Sequence, residues 1–324
     1  MKQRFQLVRL ALTVGICGCA FACKSSPASP HGGSRKLPKA DPLTSPDVPE
    51  PIKHESHGFK ELMWHFPETG LGPTAVHITI PDSDVSSRRY PVLIALHGRG
   101  EALKTPEQGA RGWPSDYGML HALKRLSSPP LTENDFGQMV TQERLKIINR
   151  TLSNRPYRGL IIVSPYIPNQ FGRHLQSDAN IYGRFLTQTL LPKIYLELPA
   201  TGTVADTAID GVSLGGRAAI VIGLTHPAQF GAVGGIQAAL GATQIQMVVR
   251  LLESARQQNP HLAFRLLSST EDVYRDVTVT LSQKLLDAGL PHEMAIVEGN
   301  HSYEFNRGPG VFEMLLYYNR IFYP

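Results

Sequence analysis

Asp210-Gly211-Val212-Ser213-Leu214-Gly215-Gly216 reads as the end of a buried strand, a sharp turn carrying a serine, and the start of a helix. Residues 207–212 are short, mostly small or apolar and flanked by loop-like sequence. Residues 217–224 continue as a largely apolar helical segment. A Gly-x-Ser-x-Gly turn holds its serine in a strained backbone geometry, so the residues two before and two after it must lack a Cβ where strand and helix converge. Gly211 and Gly215 meet that need. The arrangement lifts a hydroxyl above the sheet edge and aims the next backbone N–H, that of Leu214, at a developing oxyanion. A glycine-rich turn with a chance serine is the alternative, and the strand before and helix after it favour a nucleophile elbow.

Strand and helix signals alternate outward from this point. Strands are expected over 75–81, 90–96, 159–165, 230–236, 262–267 and 293–297, and helices over 178–195, 243–257 and 276–288. The fold class is therefore α/β with a mostly parallel sheet flanked by helices, in the manner of an α/β-hydrolase. The strand over 90–96 breaks into His97-Gly98-Arg99-Gly100, where such a fold places its second oxyanion donor, here the N–H of Arg99. His97 closes a buried strand and is read as loop support, not as the base. About sixty residues separate Gly100 from Leu160 where a βα connection needs far fewer, so a helical insertion is expected over about 101–158. It could form a lid whose Trp113, Tyr117 and Met119 line a substrate pocket, or these residues could simply anchor it to the body.

The acid and base should follow the serine in chain order. The strand over 262–267 ends in Ser268-Ser269-Thr270-Glu271-Asp272, and the last strand leads to Gly299-Asn300-His301. Ser213, Asp272 and His301 are the expected triad, with Glu271 and Asp276 as competing acids; Asp276 also suits a helix start.

With those residues identified, the chain from about residue 75 to its C-terminus resembles the bacterial putative esterase family, which includes feruloyl esterases, S-formylglutathione hydrolases and mycolyltransferases. The resemblance rests on Tyr90-Pro91-Val92-Leu93 to Leu96-His97-Gly98, Phe185-Leu186 to Leu190-Leu191-Pro192, the elbow with Gly216, and His226-Pro227-Ala228-Gln229-Phe230-Gly231-Ala232-Val233. It implies that Thr270-Glu271-Asp272 and Gly299-Asn300-His301 hold the acid and base positions. The insertion is longer than usual for the family, and Asn306-Arg307-Gly308-Pro309-Gly310 replaces an aromatic loop. Arg307 is there a candidate for a substrate carboxylate or for a plain salt bridge.

The expected function is a serine esterase acting through an acyl-enzyme on a small-molecule or polysaccharide-linked ester, without metal or cofactor. An acyltransferase using the same intermediate and a non-catalytic envelope binding module are the alternatives. A formal charge of +5 comes without a Lys/Arg run in the globular part, so nucleic acid is not an expected partner.

Residues 1–23 read as a lipoprotein-type signal peptide: a basic start, an apolar run too short to span a bilayer, then Cys17, Cys19 and Cys23. Cys23 is the favoured lipidation site and Cys19 the alternative. Cleavage after Ala20-Phe21-Ala22, releasing a soluble protein, competes with both. Lys24 after the cysteine points to the outer membrane, with a lipid anchor as the only membrane contact. Residues 24–58, rich in Pro, Ser and Gly, read as a disordered tether, leaving 59–324 as the catalytic domain.

Overall fold

The computed structural model describes residues 58–82 and 87–324. The expected signal peptide, the three cysteines and all but the last residue of the expected tether lie outside them.

Eight strands form one sheet: β1 (Phe59–Phe66), β2 (Thr74–Pro81), β3 (Val92–Leu96), β4 (Ile161–Pro165), β5 (Thr207–Gly211), β6 (Ala232–Ile236), β7 (Ala263–Glu271) and β8 (Glu293–Asn300), in the order β1-β2-β4-β3-β5-β6-β7-β8. β2 pairs antiparallel with β1 and β4, and every later pairing is parallel. The sequence explains the arrangement. β3, β4, β5 and β6 are five-residue runs with every residue buried, as parallel strands covered on both faces must be. The outer strands β1 and β8 are only partly buried.

Side chains alternate between the two faces of the sheet. Val92, Ile94 and Leu96 of β3 pack into one core with the elbow helix Leu214–Thr225 and the helices Leu175–Arg184, Ile245–Gln258 and Arg275–Asp287. Leu93 and Ala95 point into the other, with Trp113, Leu123, Phe312 and Tyr318. The elbow helix is buried from Ala218 to Leu224, which explains why its sequence carries no polar face.

The insertion carries the helices Met119–Leu126 and Gln142–Asn154. Four features differ from the sequence reading. β1 and the C-terminal helix Val311–Phe322 were not anticipated. β7 runs on through Ser268, Ser269, Thr270 and Glu271, expected to be loop, because β8 is itself longer and pairs with it out to Asn300. The helix expected over 178–195 is a compound one, Leu175–Arg184 passing through a wider turn, Phe185–Leu190, into Leu191–Glu197.

A polar network crosses the second core. Asp210, wholly buried beneath the elbow, accepts from Arg265 Nη2 at 3.0 Å, the Tyr318 hydroxyl at 2.9 Å and the Gly211 N–H at 2.7 Å. Burial raises the Asp210 carboxyl above its ordinary range, against the pull of these donors. Arg265 also donates to the Glu313 carbonyl at 3.0 Å, so β5, β7 and the C-terminal helix share one buried ion pair.

Candidate active site

Ser213 caps the elbow helix with φ 55° and ψ −114°, a region a non-glycine residue enters only at a cost of about 1–3 kcal/mol. Its backbone is held there from three sides. The Ser213 N–H donates to the Ile236 carbonyl at 2.9 Å, and its carbonyl accepts from Ala239 at 2.9 Å and Arg217 at 3.0 Å. A Cβ on Gly211 would stand 2.6 Å from the Gly215 carbonyl group, and one on Gly215 would collide with the Leu96 and His97 carbonyls. Both glycines are therefore required where β5 turns into the helix beside the end of β3.

The structure brings Ser213, His301 and Asp272 together. His301 Nε2 lies 3.1 Å from Ser213 Oγ, and His301 Nδ1 lies 2.9 Å from Asp272 Oδ1. With Nδ1 donating to the carboxylate, Nε2 is left to accept from the serine. The Asp272 side chain is fully enclosed and takes two further bonds, from Ser268 Oγ at 2.7 Å and the Tyr274 N–H at 3.1 Å. The competing acids lie elsewhere: Glu271 is exposed, and Asp276 is exposed beside Arg275 at 3.5 Å.

Leu214 and Arg99 each open a helix, Leu214–Thr225 and the short Arg99–Ala102. The N–H groups of a first helical turn have no intrahelical acceptor, and both are donors available to a ligand. Gly98 backs directly onto Ser213: a Cβ there would lie 3.8 Å from the Ser213 Cβ. His97 supports the loop as expected. Its Nδ1 donates to the Gly98 carbonyl at 2.8 Å and its Nε2 accepts the Ile167 N–H at 2.9 Å, and burial lowers its pKa.

The expectation that Trp113, Tyr117 and Met119 line a substrate pocket is corrected. Trp113 and Met119 are fully buried and Tyr117 is 1% exposed. Trp113 Nε1 donates to the Leu96 carbonyl at 3.1 Å. Tyr117 accepts the Gly98 N–H at 2.9 Å and donates to the buried Glu101 carboxylate. The insertion thus underpins the loop of Gly98 and Arg99 from below, because aromatic groups with one polar atom fit where carbonyl and N–H groups end a strand. Burial and then Glu101 hold the Tyr117 phenol well above its ordinary pKa. Among the described residues Arg307 forms no salt bridge; its Nε donates to the Asp116 carbonyl at 2.8 Å, and the guanidinium lies over the Tyr303 ring.

Three contributors escaped the sequence reading. Gln237, buried with φ 44°, donates through Nε2 to Ser269 Oγ at 2.7 Å and to the Asn300 carbonyl at 2.9 Å, tying the acid strand to the base loop. The Tyr274 ring stands edge-on to His301, with centroids 5.4 Å apart. Tyr303, two residues after His301, donates to Glu101 at 2.6 Å. None carries a local motif, although a glutamine at a strand end beside Gly234-Gly235 was visible. Among the described residues no cluster of three or more His, Cys, Asp or Glu could hold a metal ion, and no helix is long and apolar enough to cross a membrane.

Sheet order and the strand–Ser213–helix elbow define the fold as that of an α/β-hydrolase. Residues 160–258 match the family described as putative esterase. The fold is shared with a ferulic acid esterase (18% identity, TM-score 0.59, covering 82% of this chain and 100% of that one). It is shared also with an S-formylglutathione hydrolase from Staphylococcus aureus (14%, 0.52, covering 83% and 99%). A fluorophosphonate-binding serine hydrolase from the same organism has it too (12%, 0.52, covering 81% and 99%). No curated protein matches the chain.

Proposed function

We propose that the protein is a serine esterase working through an acyl-enzyme, with Ser213 as nucleophile, His301 as general base and acid, and Asp272 as the group that orients the imidazole. The observation that carries this reading is the unbroken chain from Ser213 Oγ to His301 to the enclosed Asp272, at 3.1 and 2.9 Å, on a serine held at φ 55°. Ser213 Oγ attacks the ester carbonyl as His301 Nε2 takes its proton, and Asp272 stabilises the imidazolium. The carbonyl oxygen becomes an oxyanion facing the Leu214 and Arg99 N–H groups. His301 returns the proton to the departing alcohol, then activates a water that releases the acid and frees Ser213.

The test is Ser213→Ala assayed with short p-nitrophenyl esters and a fluorophosphonate probe. Loss of about 10⁴-fold or more in turnover, with loss of labelling, is the expected outcome; unchanged turnover would overturn the reading. Acyl transfer to an alcohol shares every step up to the acyl-enzyme. Free acid as the sole product in the presence of acceptor alcohols identifies the hydrolase.

We also propose, from residues 1–24 alone, that the enzyme is held at the cell envelope through a lipid on Cys23. Cys23→Ser should move the protein from the detergent phase to the aqueous one, and retention would overturn this assignment.

A further inference from the structure

Arg217 is the fourth residue of the elbow helix, one turn from Ser213, whose carbonyl its N–H meets at 3.0 Å. Its guanidinium sits in a notch between two loops. On one side is Gly172, at φ 90° in the loop after β4, where a Cβ would run into the guanidinium, so the missing side chain is what makes room for it. On the other is Tyr274, within electrostatic reach of Arg217 and with its ring edge-on to His301.

Among the described residues no acid pairs with the guanidinium. Nε is buried without a hydrogen bond, and among the described residues Arg217 makes no ion pair. Arg144 and Arg125 are paired with Glu313 and Asp135, whereas Arg256, which like Arg217 makes no ion pair among the described residues, donates to the Leu262 and Pro291 carbonyls. The acids bonded to the residues on either side are already engaged: Asp178 accepts the Gly172 and His174 N–H groups at 2.7 and 3.1 Å, and Asp272 is taken up by His301, Ser268 and Tyr274. Burial lowers the Arg217 pKa, outweighing the opposite influence of Tyr274. Leaving a guanidinium so placed is costly unless something anionic joins it.

We propose that Arg217 forms a subsite for an anionic group of the substrate, a carboxylate or phosphate carried by the ester close to its scissile bond. This rests on the esterase reading of the same site and narrows its substrate class. Charge-assisted hydrogen bonds from a guanidinium to a carboxylate or phosphate are strong and directional, so they would orient the ester relative to Ser213.

The experiment compares matched esters on the folded enzyme: 4-acetoxybenzoate against its methyl ester, ethyl hydrogen adipate against ethyl hexanoate, and 4-acetoxyphenyl phosphate against phenyl acetate. They separate an anion on the alcohol side from one on the acid side, and carboxylate from phosphate. The readout is the ratio of kcat/KM, anionic over neutral, within each variant. In the native enzyme at least one pair should favour the anion. Arg217→Met should lower that ratio about tenfold or more, and Arg217→Lys should restore part of it. Added salt should weaken the preference. Gly172→Ala, which displaces the guanidinium without touching its charge, should lower the ratio in the same direction and serves if Arg217→Met does not fold. No anionic preference in any pair, or a ratio indifferent to both substitutions, overturns the subsite. Loss of neutral-ester turnover on Ser213→Ala tests the parent reading separately, so failure of one is not mistaken for failure of the other.

Discussion

The hydroxyl of Tyr303 donates to Glu101 at 2.6 Å across 202 positions of sequence, joining the segment after His301 to the loop that presents Arg99. Tyr117 donates to the same carboxylate while accepting the Gly98 N–H, so one buried acid sets the spacing between the base and the expected oxyanion donors. Tyr303→Phe removes one bond to a charged acceptor, worth about 1.5–3 kcal/mol. We expect kcat to fall about tenfold with KM nearly held, because the transition-state donors shift while the substrate contacts remain. Steady-state kinetics check this; equal losses in KM alone would argue against it.

Arg265 and Asp210 are fully buried partners beneath the elbow. Arg265→Met should cost about 3–5 kcal/mol by leaving a carboxylate uncompensated. Replacing both, as Arg265→Met with Asp210→Asn, should recover part of that loss. Chemical denaturation of the two variants decides it: a double variant no more stable than the single one would rule out charge isolation as the cause.

Gly215→Ala places a Cβ against the Leu96 and His97 carbonyls, which belong to rigid backbone and cannot yield as a side chain would. The folded yield should drop, and the protein that remains should not label with a fluorophosphonate. Normal labelling would mean that the end of β3 can move aside.

Burial lowers the pKa of His97, His226 and His292 below 6.5. The unfolded chain then binds more protons than the folded one between those lowered values and pH 6.5, so stability falls as the pH drops through that window and is flat above it for these groups. The urea midpoint should be lower at pH 5.5 than at pH 7.5. In His97→Gln the difference should shrink, whatever its absolute stability. An unchanged pH slope in that variant would assign the effect to the other two.

Sequence alone determined the central strands, the elbow and the chain order of Ser213, Asp272 and His301, because these are local: short apolar runs between breakers, and glycines where a Cβ cannot fit. The family resemblance over the elbow region agrees with the match to residues 160–258. What only the tertiary structure decided depends on contacts far apart in the chain. Trp113 and Tyr117 could equally have faced a pocket by sequence; the carbonyl of Leu96 and the carboxylate of Glu101 turned them inward. β7 extends to Glu271 because β8 supplies its ladder, and Gln237 gains its place from Ser269 and Asn300, residues brought near only when the sheet closes. The Arg217 Nε, buried without a hydrogen bond among the described residues, is of the same kind: a sequence names the charge, and folding alone determines what meets it.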